Sequence, residues 1–131
     1  MGYITLVTGE LRITPPLTWP EIRASEYAPG EPHRHDLVLL VREETVQTEE
    51  GPLLRRTAHA LALRPIEEYR AYTLVKDVQA AIDAHPGHTF TGYLSCEGEE
   101  TGDLWRVVIK DGRAVEVRPR IVWPDEEESL A

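Results

Sequence analysis

The sequence predicts an α+β fold, a mostly antiparallel sheet with two helices on one face. Three observations predict it. Residues 37–47 and 53–63 are rich in Leu, Val and Thr and are joined by Glu49-Glu50-Gly51-Pro52, the composition of a turn between paired strands. Residues 66–85 space Ala71, Val75, Val78 and Ile82 at helical intervals, with Leu74 and Ala81 beside them. Residues 89–117 alternate apolar and polar positions with a period of two, which is the signature of half-buried strands. A chain of 131 residues suits one domain, and residues 1–124 are assigned to it. Residues 125–131 are expected to form a disordered acidic tail.

Taken in order, residues 3–14 read as a strand interrupted at Gly9, with Leu11 and Ile13 on one side and Glu10, Arg12 and Thr14 on the other. Pro15-Pro16 is expected to stop it. Thr18-Trp19-Pro20-Glu21 has the spacing of a capping box, so a short helix is expected to run to about Tyr27. Residues 28–36, with two prolines and a glycine, read as a long loop. The hairpin of residues 37–63 follows. Pro65 fits the first turn of a helix over residues 66–85, which His85, Pro86 and Gly87 end. Phe90, Gly92, Leu94 and Cys96 share one face of the next strand; Trp105, Val107 and Ile109 share one face of the strand after it. Asp111-Gly112 suits a two-residue turn whose central residues both need positive φ, leading into Val115 and Val117. The resulting order, β-α-β-β-α-β-β-β, is that of a ferredoxin-like unit with an added C-terminal hairpin.

Composition narrows function. There are 23 acidic residues against 14 basic ones, for a net charge of −9, so the long-range field repels phosphate backbones and direct nucleic-acid binding is disfavoured. No apolar run approaches the roughly 18 residues of a membrane span, and no secretory leader is recognisable at Met1-Gly2-Tyr3. One cysteine, Cys96, cannot form an internal disulfide and points to a reducing, cytoplasmic setting. Its parity with Phe90 and Leu94 makes it a small core residue. Nucleotide loops and nucleophile elbows are missing, so no cofactor is expected beyond a divalent metal.

Three clusters could carry chemistry. In His33-Arg34-His35-Asp36, residues two apart on an extended segment project to one side, so His33, His35 and Asp36 are candidate donors for a divalent metal. An ordinary solvated loop is the competing reading. The turn of residues 97–103 carries Glu97, Glu99, Glu100 and Asp103 with two glycines, which suits Ca²⁺ or Mg²⁺ or simply a solvated turn. Trp123, following Arg118-Pro119-Arg120, is the candidate surface aromatic. Arg118 and Arg120, with Arg55 and Arg56, would form a local anion patch if the strands bring them together.

The segment from Gly92-Tyr93-Leu94-Ser95-Cys96 through Leu104-Trp105-Arg106 to Lys110-Asp111-Gly112, with the opening Met1-Gly2-Tyr3-Ile4-Thr5 and Thr14-Pro15-Pro16-Leu17, resembles a family of small uncharacterised proteins from actinobacteria and their phages. The resemblance implies an α+β domain and a bacterial or phage setting, and it supplies no catalytic residue. Twelve arginines against two lysines, and no asparagine, agree with a GC-rich source. The function expected is a non-enzymatic, cytoplasmic protein-interaction or regulatory module acting through an acidic surface, with a protein partner or self-association and no membrane. The alternative is a small-ligand or metal-binding protein using the His33 to Asp36 loop and the acidic turn.

Overall fold

The computed structural model describes residues 3–125. Its elements are β1 (Thr5–Thr8), β2 (Leu11–Leu17), α1 (Trp19–Ala24), β3 (Leu37–Thr48), β4 (Gly51–Leu63), α2 (Leu74–Asp83), β5 (Thr89–Gly98), β6 (Leu104–Lys110) and β7 (Arg113–Val117). The expected order of strands and helices is observed. The strands form one antiparallel sheet in the order β3-β4-β2-β5-β6-β7, with β1 also on β5. Within it, β2, β3, β4 and β5 take the ferredoxin-like arrangement, each crossover helix linking strands that are not neighbours.

β1 and β2 are one interrupted strand. Both lie along the same edge of β5 in constant register, from Thr5 opposite Gly98 to Thr14 opposite Thr89. Gly9 makes the break: its φ is +97°, and a Cβ there would sit 3.3 Å from the Tyr93 carbonyl oxygen. The prolines do not stop the strand, as had been expected. β2 continues through Pro15 and Pro16, which lack N–H donors and fall where its register against β4 slips between Arg12 and Leu17.

Leu11, Ile13, Leu17, Leu39, Leu61, Phe90, Leu94, Cys96 and Val107 form one buried cluster that also takes Ile22 of α1 and Leu74, Val78 and Ala81 of α2. Both helices therefore cover the same side of the sheet. Helix α1 ends at Ala24, not Tyr27, because the Ser25 N–H turns back to the Ile22 carbonyl and the Ser25 hydroxyl accepts the Tyr27 N–H. The Tyr27 ring enters the core, stacked on His35 with centroids 4.1 Å apart.

The second helix is half the expected length, starting at Leu74 and not near Ile66. Tyr69 explains this: its side chain is buried, and its carbonyl accepts the Thr5 N–H at 2.8 Å, tying this segment to the start of β1. A carbonyl spent on a strand edge is lost to a helix, and Glu68 with φ 54° breaks the helical path. The buried stripe is consequently Leu74, Val78 and Ala81, with Val75 and Ile82 at its margin. The C-terminal hairpin is as expected, Asp111 and Gly112 having φ of 50° and 78°. Beyond Asp125, the expected acidic tail lies outside the described residues.

Candidate interaction surface

The three clusters singled out by sequence meet different fates. In the histidine loop, the His33 Nδ1 pairs with Glu31 Oε1 at 3.1 Å on the surface. His35 turns inward onto Tyr27; its Nε2 has no hydrogen-bond partner and lies 3.7 Å from Glu26 Oε2. Asp36 is exposed, and its backbone carbonyl accepts the Arg64 N–H at 2.7 Å. The Arg64 side chain donates to the His35 carbonyl, so the loop is anchored through its backbone. The structure does not bring His33, His35 and Asp36 together as a donor set, and no group of three potential metal donors converges among the described residues.

The acidic turn is organised by Tyr3. The Tyr3 hydroxyl donates to Asp103 Oδ2 at 2.6 Å and accepts the Glu100 N–H at 2.9 Å, while Arg118 Nη1 donates to Asp103 Oδ1 at 3.0 Å. Arg118 also donates to Glu116 at 3.0 Å and lies 4.8 Å over the Trp105 ring. The bond to Asp103 raises the Tyr3 hydroxyl above its ordinary pKa, since ionisation would set two negative oxygens side by side. Asp103 and Arg118 are thus brought together, as a latch between the chain's first residues and the exit of β7. Glu99 and Glu100 remain exposed at the tip of the turn. Arg120 and Trp123 lie on the surface, the indole 65% exposed. The anion patch does not assemble: Arg55 and Arg56 pair with Glu44 and Glu43 on the β3–β4 hairpin, at the other end of the sheet order from Arg118.

Two polar pairs escaped the sequence reading. His85 sits with Nδ1 2.7 Å from the Ala81 carbonyl and Nε2 2.8 Å from Ser25 Oγ. The Ala81 carbonyl can only accept, so Nδ1 carries a proton, and Nε2 shares a hydrogen bond with the serine hydroxyl. Because that oxygen also accepts the Tyr27 N–H, the pair fastens the end of α1 to the end of α2. The side chain of His88, only 7% exposed, joins Glu21 Oε2 at 2.7 Å and the Pro15 carbonyl at 2.6 Å. Nothing in sequence marks either contact, since both partners come from the other half of the chain.

The β3–β4 hairpin supplies the most conspicuous surface. β2 pairs with β4 only from Ala58 to Leu61, so residues 42–48 and 51–57 continue as a two-stranded arm of about 20 Å. Glu43–Arg56 and Glu44–Arg55 bridge its strands, and Glu49 and Glu50 form its tip. Along the arm Trp19, Leu53, Leu54 and Arg56 line a groove of about 330 Å³, with Arg56 stacked 5.0 Å over the indole. Leu53 and Leu54 are 56% and 54% exposed. Adjacent leucines necessarily face opposite sides of a strand, and a two-stranded arm has no layer to cover both. That sequence signal, Leu-Leu beside a turn, was available.

Fold and surface together define a single-domain α+β protein with a projecting arm that carries an apolar groove. The chain belongs to a family of unknown function, DUF6205, whose model matches residues 1–131. No curated protein and no solved structure matches it. No helix among the described residues is long and apolar enough to cross a membrane.

Proposed function

We propose that this protein is a non-enzymatic interaction module that seats another protein on the β3–β4 arm, the partner presenting an apolar ridge with a basic rim. The observation that carries this is the exposed Leu53–Leu54 pair beside the half-covered Trp19 indole. Burying Leu54 and the indole face on one side of the arm, with Leu53 gripped on the other, supplies the apolar centre that binding hot spots need. The basic rim follows from charge: Arg55 and Arg56 are neutralised by Glu44 and Glu43, leaving Glu49 and Glu50 as the unpaired charges at the tip of the arm, with Arg42 at its root, among the described residues. With a net charge of −9, the whole molecule also attracts a cationic surface from a distance. A cytoplasmic setting belongs to the same reading, supported by a single cysteine, and so does a bacterial or phage source, supported by the Arg-rich, Asn-free composition.

The test is photo-crosslinking in the host, with a benzoylphenylalanine at Leu54 and, as control, at the remote exposed position Lys76. An adduct with one other protein, formed from position 54 alone and lost when Leu53→Ser is added, is the expected result. Identical adducts from both positions, or only a covalent dimer of this chain, would overturn the proposal.

A further inference from the structure

The sheet face turned away from the helices carries a second, independent feature. Residues directly opposite in an antiparallel sheet share a face, so Arg12, paired with Ala60 and with Thr91, lies opposite to its core neighbours Leu11 and Ile13. Arg42, paired with Thr57, follows core-packed Val41 and so occupies the same outer face. His59 stands between them. β3 and β4 slip at this point, Leu40 facing Ala60 and Val41 facing Ala58, which leaves His59 as the extra residue of a bulge. Bulges re-aim a side chain, and here the imidazole lines a cavity of about 320 Å³ together with Arg12, Arg42, Thr14 and Glu10. Its Nδ1 is buried and has no hydrogen-bond partner among the described residues.

The charges are unbalanced. Carboxylates pair with Arg34, Arg55, Arg56 and Arg118, but among the described residues none pairs with Arg12 or Arg42. Two guanidiniums and one carboxylate leave the cavity locally cationic in a strongly acidic protein. A guanidinium offers a planar fork of N–H donors matched to oxyanions, and two forks with an imidazole exceed what the two oxygens of one carboxylate can accept. A phosphate has enough oxygens for all three. A long polyanion would meet the repulsion of the whole molecule, whereas a compact ion responds to the local field.

We infer that this cavity binds the phosphate group of a small molecule, gripped by Arg12 and Arg42 with His59 lining its wall. The cavity volume lies at the lower end of ordinary small-ligand sites and leaves room for a substituent on the phosphate.

Inorganic phosphate is the probe, titrated at constant ionic strength while the His59 ring resonances are followed by NMR, with sodium chloride, acetate and a single-stranded oligonucleotide in parallel. The expected result is a saturable one-to-one shift with phosphate. It should weaken by about tenfold or more in Arg12→Gln and in Arg42→Gln, the effect of losing one charge-assisted contact, and should persist in Arg23→Gln on α1. Thermal melts without phosphate establish that each variant is folded. A shift reproduced by chloride, or retained in the Arg12→Gln/Arg42→Gln double variant, would overturn the site. Saturation by acetate at equal concentration, or tighter binding of the oligonucleotide, would overturn the assignment to a small phosphate.

Discussion

Replacing Glu21 with Ala should lower stability by about 2 kcal/mol, and the loss should depend on pH in a defined way. The Glu21 carboxylate accepts the Thr18 N–H at 2.9 Å and the Thr18 hydroxyl at 3.0 Å, and on its other oxygen meets His88 Nε2 at 2.7 Å. Losing a helix N-terminal cap costs about 1 kcal/mol. A hydrogen bond between charged groups contributes up to about 3 kcal/mol when shielded, but the Glu21 side chain is 44% exposed, so about 1 kcal/mol is the discounted figure. With an unfolding entropy of about 2.1 cal/mol/K per residue, 2 kcal/mol corresponds to a fall in Tm of about 7 °C for this chain.

The Thr18 N–H, then His88 and the Thr18 hydroxyl, hold the Glu21 carboxyl down from 4.5 to about 2. Its stabilisation is complete above 4.5 and is lost as pH falls toward 2. Desolvation pulls the His88 imidazole down, but the Glu21 carboxylate and the Pro15 carbonyl outweigh it and raise its pKa above 6.5; its contribution is complete below 6.5 and fades as pH rises through the raised value. The gap in Tm between wild type and Glu21→Ala should therefore be widest near pH 5.5 and narrower at about pH 3 and about pH 9, as followed by calorimetry. A gap that stays constant across this range, or one under about 2 °C at pH 5.5, would refute the reasoning.

Three further outcomes follow from the same geometry. Leu94→Ala, at a side chain with no exposed surface, should cost about 3 kcal/mol in urea unfolding; under about 1 kcal/mol would mean that β5 is not central to the core. The Cys96 thiol, pushed up to about 11 by burial and then by the Glu116 charge, should resist a thiol reagent at pH 8 until denaturant is added, and rapid native labelling would contradict its place in the core. Gly9→Ala should destabilise by about 1–2 kcal/mol, since alanine at φ +97° is strained and its Cβ meets the Tyr93 carbonyl; an unchanged melting curve would show that the break between β1 and β2 is not needed.

Elements set by local chemistry were legible in the sequence, and elements set by distant partners were not. Asp111-Gly112 needs only its own backbone preferences to turn the chain, and β5 and β6 need only their alternation, so all three fall where the residues say. The long hairpin likewise announces itself in two β-rich runs around Glu49-Glu50. Residues 66–73 satisfy helical spacing equally well, yet Tyr69 gains more from burial and from the Thr5 bond than from another helical turn. The histidine donors do not converge for the same reason. His33 and His35 would project together on an isolated extended segment, but Tyr27, eight residues from His35, claims its ring. Asp103 and Arg118 were both singled out, whereas their direct bond, with Tyr3 on the other carboxylate oxygen, depends on strand pairing that no local pattern encodes.

Net charge acts at one length scale and side-chain pairing at another. Within a Debye length of its surface, about 8 Å, the net charge of −9 repels an approaching polyanion, and farther out salt screens it. Within a few ångströms, however, what an ion meets is the set of side chains that folding has left unpaired. Folding here neutralises Arg55, Arg56 and Arg118 against carboxylates presented by neighbouring strands or turns, which removes the arginines that sequence proximity had made conspicuous. Arg12 and Arg42 are separated by thirty residues and draw no notice in the sequence, but β4 joins their strands and its bulge sets His59 beside them. The acidic whole and the locally cationic cavity thus bear on different ions: the net charge disfavours extended anions, while the proposed phosphate site draws on the two guanidiniums that line about 320 Å³ on the outer face of the sheet.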